Sequence, residues 1–202
     1  MKRIDIPTSP PGPHFIGSWF IEPKSLCDDL VNFFETHPDN QTEGKTAGGL
    51  NVESKQSTDL AIRPRDLEQA DHKPVREYLD ALFDCHKDYL EQWPFLKDIM
   101  GRAEFGTFNI QRYHLGGHFL KTHAERTTIS TSHRVLAWMT YLNDVEDGGS
   151  TYFVHHDLDV QPQKGKTMIW PAEWTHAHFA NVVNSGKKYI ATGWMNFPLE
   201  RS

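Results

Sequence analysis

With 202 residues, the chain is long enough for one domain with a substantial core, and 38% hydrophobic and 24% charged residues are typical of a soluble globular protein. The formal net charge of −6 argues against general nucleic-acid binding, because backbone phosphates are usually met by a basic surface. The longest apolar stretch, residues 135–142, is far shorter than the ~20 residues that a membrane-spanning helix needs.

The amino terminus and the cysteines predict a cytoplasmic protein. The opening MKRIDIPTSPPGP lacks the apolar segment of a secretory signal. The two cysteines, Cys27 and Cys85, do not suggest a disulfide framework, so we expect a reducing compartment. The sequence leaves open a single bridge between them, and it says nothing about oligomeric state.

Apolar periodicity predicts two helices in the first half of the chain. Apolar residues recur at helical spacing in 23–37 and in 74–93, where Phe83 is one of those assigned to the apolar face. Between the two helices, the polar and glycine-containing segment 39–57 is predicted to be a loop, either a connection or an active-site lid.

From residue 105 onward, short runs rich in β-branched and aromatic residues alternate with turn residues. Many short strands at regular spacing are typical of a sandwich or jelly roll. We therefore predict a single α+β, mainly β domain over 1–202, in which the helices and loops of residues 1–104 pack on a sheet core at 105–197. The predicted strands are 105–113, 118–123, 133–142, 151–154, 158–161, 166–170, 176–183 and 187–197.

Histidine and glutamate residues in the strand-rich half are spaced for metal binding. His123 and Glu125 are two residues apart, so on a strand both side chains point to the same side. A third imidazole from another strand would complete two histidines and one carboxylate, the ligand set of non-haem Fe(II) oxygenases. The cluster THAH offers two candidates for this third ligand, His176 and His178.

A lysine follows the second histidine cluster at a position that predicts burial. If 187–197 is one strand, Lys188 and Trp194 face one side and Lys187 the other. A lysine inside a barrel needs a partner, because an unpaired buried charge is strongly destabilising. The partner would be the far carboxylate of a cosubstrate with two carboxylates or, alternatively, one of the chain's own acidic residues.

Three further motifs follow His123 in order: YLNDVEDGGSTYF at 141–153, PQKGKTMIWPAEWTHAH at 162–178 and SGKKYIATGW at 185–194. With this ordered set, the chain resembles the Fe(II)/2-oxoglutarate-dependent dioxygenases of the prolyl 4-hydroxylase type from about Phe105 to Phe197. The resemblance implies a double-stranded β-helix fold. It also implies hydroxylation of a C–H bond of a peptide or small molecule with Fe(II), 2-oxoglutarate and O2, releasing succinate and CO2.

The resemblance assigns roles to individual residues. It implies His123, Glu125 and His178 as metal ligands, although most members have aspartate at the position of Glu125. His178 is preferred to His176 because Lys188 lies ten residues after it, and Lys187 is the competing lysine. The residues implied to contact the cosubstrate are Lys188, Tyr113, Tyr141, Thr151 and Trp194. Arg134 matches a common family arginine and receives no role.

Two other functions are compatible with the same residues. The chain could be a non-catalytic, cupin-like binding module that lost turnover through the change to Glu125. It could also be a metal-dependent isomerase or hydrolase that does not use 2-oxoglutarate. Two aromatic residues near the second histidine cluster, Trp170 and Trp174, are expected either to form a substrate wall or to pack in the core.

Overall fold

The computed structural model describes residues 12–46, 48–100 and 104–197; the start of the chain, where no secretory signal is predicted, lies mostly outside these ranges. Within them are three α-helices: α1 (Ser25–Glu35), α2 (Lys73–Gln92) and α3 (Pro94–Met100). The strands are β1 (Gly17–Phe20), β2 (Gln41–Glu43), β3 (Lys55–Gln56), β4 (Thr58–Ile62), β5 (Glu104–Phe105), β6 (Phe108–Tyr113), β7 (His118–His123), β8 (Arg134–Tyr141), β9 (Thr151–Phe153), β10 (Leu158–Val160), β11 (Lys166–Pro171), β12 (His178–Ala180) and β13 (Lys188–Asn196).

Across the described ranges the strands form two antiparallel sheets. The larger sheet has the order β1-β11-β8-β13-β6-β4-β2, with β5 added beside β13. The smaller sheet has the order β10-β9-β12-β7-β3. Along the chain from β6 to β13, strands pass between the two sheets, so that residues distant in sequence meet in the space between them. The predicted sheet-rich fold with packing helices is confirmed.

Alternation along the central strands separates two hydrophobic cores. On β8, Leu136 and Trp138 pack against the helices, whereas Ala137, Met139 and Tyr141 pack between the sheets. This follows from the two-residue period of a strand, which sends successive side chains to opposite faces. The larger sheet therefore has buried side chains on both faces: one face packs against the helices, and the other lines the space between the two sheets.

The helices lie on the outer face of the larger sheet. The Tyr78 hydroxyl of α2 donates a hydrogen bond to Thr140 Oγ1 on β8 at 2.7 Å, which fixes the helix to the sheet. Most of the apolar residues predicted to face the core from this helix are buried, but Phe83 is not, since it lies at the surface against Phe105. None of the helices in the described ranges combines the length and apolar content needed to cross a bilayer.

The sequence prediction missed four strands before residue 104. Segment 39–57 was predicted to be a loop, but it contains β2 and β3, and β4 follows it directly. β4 extends the larger sheet beside β6, while β3 pairs with β7 of the smaller sheet. β2 and β3 are short and polar, so their sequences lack the apolar alternation that predicts a strand, and β1 and β4 are only four and five residues long. They form because the edges of both sheets offer them unpaired backbone groups.

Candidate metal centre

Two histidines meet where the smaller sheet joins β7 to β12. His123 is the last residue of β7 and His178 the first of β12, and they are directly opposite each other in the antiparallel register. Their ring centroids are 4.5 Å apart. Phe119 stacks flat on the His123 ring at 4.0 Å, and Trp170 meets the His178 ring edge-to-face at 5.3 Å. Contacts with aromatic rings therefore restrict the orientation of both imidazoles.

Glu125 completes the group, but it does not lie on the strand as predicted. β7 ends at His123, and Glu125 lies in a bend whose backbone N–H donates to the Ala172 carbonyl at 3.1 Å. From this bend, Oε1 lies 3.6 Å from Nε2 of both His123 and His178. Among the described residues these are the only three histidine, cysteine or acidic side chains whose ligand atoms all lie within 4.8 Å of one another.

Backbone carbonyls hold both histidines in the form that can bind a metal. His123 Nδ1 lies 2.9 Å from the Lys121 carbonyl oxygen, and His178 Nδ1 lies 2.9 Å from the His176 carbonyl oxygen. A carbonyl only accepts, so each Nδ1 carries the proton and each Nε2 keeps its lone pair. Hydrogen bonds of this kind are typical of metal-ligating histidines. Two neutral imidazoles and a carboxylate fit a divalent transition metal.

The local electrostatics keep Glu125 ionised and His178 neutral. Burial by itself would raise the Glu125 pKa, but the adjacent imidazoles of His123 and His178, which attract the carboxylate when they are protonated, and the Trp194 indole N–H lower it to about 2. Burial, reinforced by repulsion from the His123 ring when that ring is protonated, lowers the pKa of His178 to about 4. The carboxylate and imidazole are therefore in the protonation states that metal binding requires throughout the neutral range.

His176, the competing candidate, does not join this group. Its ring is buried, and Nε2 lies 2.8 Å from the His14 carbonyl oxygen while Nδ1 lies 3.0 Å from Thr175 Oγ1. The ring also packs against His156, with centroids 4.8 Å apart. Both of its nitrogens thus have partners away from the metal centre.

Lys188 is buried between the sheets, with 1% of its surface exposed. Its Nζ donates to the Gly149 carbonyl oxygen at 2.9 Å and lies 4.4 Å from the centre of the Tyr113 ring. Gly149 has a φ of +69°, and a Cβ there would lie 3.2 Å from Lys188 Cδ, so glycine permits both the turn and the close approach. The competing lysine, Lys187, is exposed.

Lys188 has no carboxylate within ion-pair distance in the described ranges, so the internal salt bridge considered from the sequence is not formed there. Burial lowers the pKa of Lys188 to about 7. Near neutral pH the Lys188 amine is therefore only partly protonated, and its partners in the described structure are one carbonyl and one aromatic face. An anion bound in the space between the sheets could form an ion pair with the Lys188 ammonium and would favour its charged form.

The other predicted cosubstrate residues line the same space, but their polar atoms are engaged by protein groups. The Tyr113 hydroxyl donates to Gln111 Oε1 at 2.9 Å. The Tyr141 hydroxyl lies 2.7 Å from Thr151 Oγ1, and the Trp194 indole N–H donates to Glu125 Oε2 at 2.7 Å. Trp194 therefore contacts one of the three candidate metal ligands, His123, Glu125 and His178, which are called the metal group below.

Several contributing residues had no role assigned to them from the sequence. Arg134 lies flat on Trp194 and donates to the Glu125 carbonyl oxygen at 3.1 Å. A buried ion pair between Lys55 and Asp59, at 2.7 Å, supports Gln111, whose amide donates to Asp59 at 3.0 Å. Asp59 lies on β4, which the sequence did not predict, so only its position next to an apolar run could have indicated it.

Comparisons with known proteins agree with this geometry. Residues 108–196 match the model of the 2OG-Fe(II) oxygenase superfamily. A probable prolyl 4-hydroxylase 9 of Arabidopsis thaliana is 27% identical over 134 residues, which cover 54% of this chain and 46% of that protein. The chain thus spans less than half the length of this curated relative.

Solved structures show the same fold. A Pseudomonas putida prolyl-4-hydroxylase superposes with a TM-score of 0.69 at 18% identity, covering 92% of this chain and 94% of the other. A viral collagen prolyl hydroxylase from Paramecium Bursaria Chlorella virus-1, in its 2OG complex, gives 0.66 at 18% identity, covering 91% and 97%. The resemblance to prolyl hydroxylase-like 2OG-Fe(II) oxygenases that the sequence predicted is thereby confirmed, and it is carried by residues 108–196.

Proposed function

We propose that this protein is an Fe(II)- and 2-oxoglutarate-dependent dioxygenase that hydroxylates a C–H bond of a peptide or small molecule. The proposal is carried by one observation: a histidine–glutamate–histidine group and a buried lysine, which has no carboxylate partner among the described residues, adjoin the same space between two sheets. Bound Fe(II) with 2-oxoglutarate and O2 would supply oxidative decarboxylation to succinate and CO2, coupled to hydroxylation of the substrate.

His123, Glu125 and His178 would hold the metal through the two Nε2 atoms and one carboxylate oxygen. One carboxylate leaves some of a divalent charge uncompensated, which favours an anionic 2-oxo acid as the next ligand. We further propose that Lys188 binds the far carboxylate of 2-oxoglutarate. Its ammonium acts there as a point charge, because lysine lacks the planar fork with which arginine binds carboxylates.

The walls of this space would exclude water and orient the cosubstrate. Tyr113 supports Lys188 through its ring, and Tyr141 on β8 hydrogen-bonds Thr151 on β9 of the facing sheet, so we propose all three as cosubstrate-contacting residues together with Trp194. A dry site strengthens the attraction between Lys188 and a carboxylate, because the local dielectric constant is low.

Two finer features belong to the same proposal. We propose that β6 to β13 form the double-stranded β-helix of this family, within a single domain whose catalytic core is 105–197; the alternating placement of these strands in two facing sheets supports this. We also propose a cytoplasmic location, which is supported by Cys27 and Cys85 being free, buried thiols in the described structure.

For the substrate, we propose a peptidyl residue, with proline as the first to test. The relatives named above are prolyl hydroxylases, and the surface beside the metal group offers apolar side chains to a chain-like ligand. Trp174 is 68% exposed and lies two residues after Ala172, whose carbonyl accepts the Glu125 N–H. Val154 is also exposed, and its backbone N–H donates to the carbonyl of Ala177, the residue before His178. Trp170, in contrast, is buried core.

The test compares Lys188→Ala with Lys187→Ala, a matched change at the exposed neighbour. Anaerobic addition of Fe(II) and 2-oxoglutarate should produce a charge-transfer band in wild type and Lys187→Ala. In Lys188→Ala the 2-oxoglutarate concentration needed should rise on the order of 100-fold, because the far carboxylate loses its buried partner.

Succinate formation under air, measured with and without a proline-rich peptide, completes the test. Wild-type protein that shows neither the band nor succinate would contradict the proposal. A band without succinate would identify a binding module, and equal behaviour of the two lysine variants would remove Lys188 from the site.

A further inference from the structure

The two oxygens of the Glu125 carboxylate have different surroundings. Oε1 faces the metal group, 3.6 Å from the Nε2 atom of each histidine. Oε2 faces away and accepts the indole N–H of Trp194 at 2.7 Å. An indole N–H can only donate, so this contact requires an acceptor oxygen and fixes the rotation of the carboxylate, with the other oxygen toward the two histidines.

Trp194 is itself held in place by Arg134. The guanidinium carbon lies 3.5 Å from the centre of the Trp194 ring, a stacked cation–π contact. The same arginine donates to the Glu125 backbone carbonyl at 3.1 Å, while its distance to Oε2 is 3.9 Å, beyond hydrogen-bond range. Arg134 therefore fixes the Glu125 backbone, and Trp194 fixes its side chain.

The length of glutamate matches this arrangement. The Glu125 backbone is tied to Ala172 and to Arg134, so it is not free to move toward the histidines. Aspartate at this position would withdraw the carboxylate by about one bond length, ~1.5 Å. It could then not keep one oxygen at the histidine pair and the other at the Trp194 indole without a shift of the backbone.

We propose that Trp194 is a positioning residue that presents Glu125 to the metal as a one-oxygen ligand, and that the glutamate and the tryptophan are matched to each other. The inference rests on the metal-binding step of the proposed function, and it needs neither 2-oxoglutarate binding nor turnover. Outer hydrogen bonds of this kind typically change metal affinity 10–100-fold when they are removed.

The experiment is a double-mutant cycle with Mn(II) as the probe. The Mn(II) dissociation constant is measured by electron paramagnetic resonance of the free ion, without cosubstrate, for wild type, Trp194→Phe, Glu125→Asp and the double variant. Phenylalanine keeps an aromatic ring for Arg134 and removes the N–H donor together with part of the indole ring. We expect a roughly tenfold loss of affinity for Trp194→Phe in wild type, and less than about a twofold further loss in the Glu125→Asp background.

Trp138→Phe is the matched control. The Trp138 indole N–H is buried on the helix side of the sheet and has no hydrogen-bond partner among the described residues. This variant makes the same substitution without touching Glu125, so its Mn(II) affinity should equal that of wild type. Far-ultraviolet circular dichroism of each variant reports folding.

A second measurement covers variants that bind Mn(II) too weakly for the cycle. In metal-free protein, the indole N–H resonance that disappears in Trp194→Phe should move upfield in Glu125→Asp, since the hydrogen bond to the carboxylate is lost. The inference would be overturned if the resonance does not move, if Trp194→Phe lowers the Mn(II) affinity equally in both backgrounds, or if it does not lower the affinity at all. If the Mn(II) cycle gives the expected result but wild-type protein does not turn over 2-oxoglutarate, only the proposed activity is overturned.

Discussion

Raising the pH from 6 to 8 should weaken 2-oxoglutarate binding about tenfold, because Lys188 loses its proton in the free protein. Burial lowers the pKa of this ammonium to about 7. A bound carboxylate favours the charged form, so the complex keeps the proton. Above pH 7, 2-oxoglutarate binding must therefore be accompanied by uptake of a proton by Lys188, so the affinity falls further as the pH rises.

The magnitude follows from the protonated fraction of Lys188 in the free protein. With a pKa of about 7, this fraction falls from ~0.9 at pH 6 to ~0.09 at pH 8. The observed affinity falls by the same ratio, which corresponds to ~1.4 kcal/mol. Metal binding has the opposite pH dependence, since its ligands must be deprotonated, so the titrations need saturating Mn(II).

Isothermal titration calorimetry at pH 6, 7 and 8, in buffers of different ionisation enthalpy, measures both the affinity and the proton uptake. Pyruvate is the matched ligand control, because it is a 2-oxo acid without a far carboxylate and should show no such loss. In Lys188→Met the 2-oxoglutarate affinity should be low and independent of pH. An affinity for 2-oxoglutarate in wild type that is flat from pH 6 to 8 would refute the assignment of Lys188 as its titrating partner.

Two further predictions concern buried groups elsewhere in the fold. Asp59→Asn should lower the free energy of unfolding in urea by ~3–5 kcal/mol, because it leaves the Lys55 ammonium buried without its carboxylate. Lys55→Met with Asp59→Leu should cost less, ~1–3 kcal/mol, because no charge stays buried and the Gln111 amide loses its acceptor; equal losses in both would contradict this. Cys27 and Cys85 should react with a disulfide reagent at pH 8 only on unfolding, since burial raises the pKa of each thiol to about 11; fast labelling of native protein would count against it.

The strand-rich half of the chain was predictable because its residues alternate between two buried faces. The strands from 105 onward were located to within a few residues, and the face shared by Lys188 and Trp194 follows from the same period of two. Strands β2 and β3 were not predictable, because they are only two to three polar residues long. Their pairing is decided by the sheet edges they meet, which are distant in sequence.

The candidate site was predictable in its residue types but less so in its geometry. The spacing of His123 and Glu125 suggested a shared strand face, yet the strand ends before Glu125 and a bend places the carboxylate instead. The tie to Ala172 that sets this bend, and the stacking of Arg134 on Trp194, join residues that are 40 or more positions apart. Single-sequence patterns carry no information on such contacts.

Strands β3 and β4 have a consequence for how the domain can be divided. β3 covers the free side of the strand that ends in His123, and β4 supplies the Asp59 that polarises Gln111 toward Tyr113. A fragment limited to 108–196 would contain every proposed metal ligand, yet it would uncover three strand edges, on β6, β7 and β11, expose them to aggregation and lose the support of Tyr113. The segment that matches the family model is therefore smaller than the segment that folds as one unit.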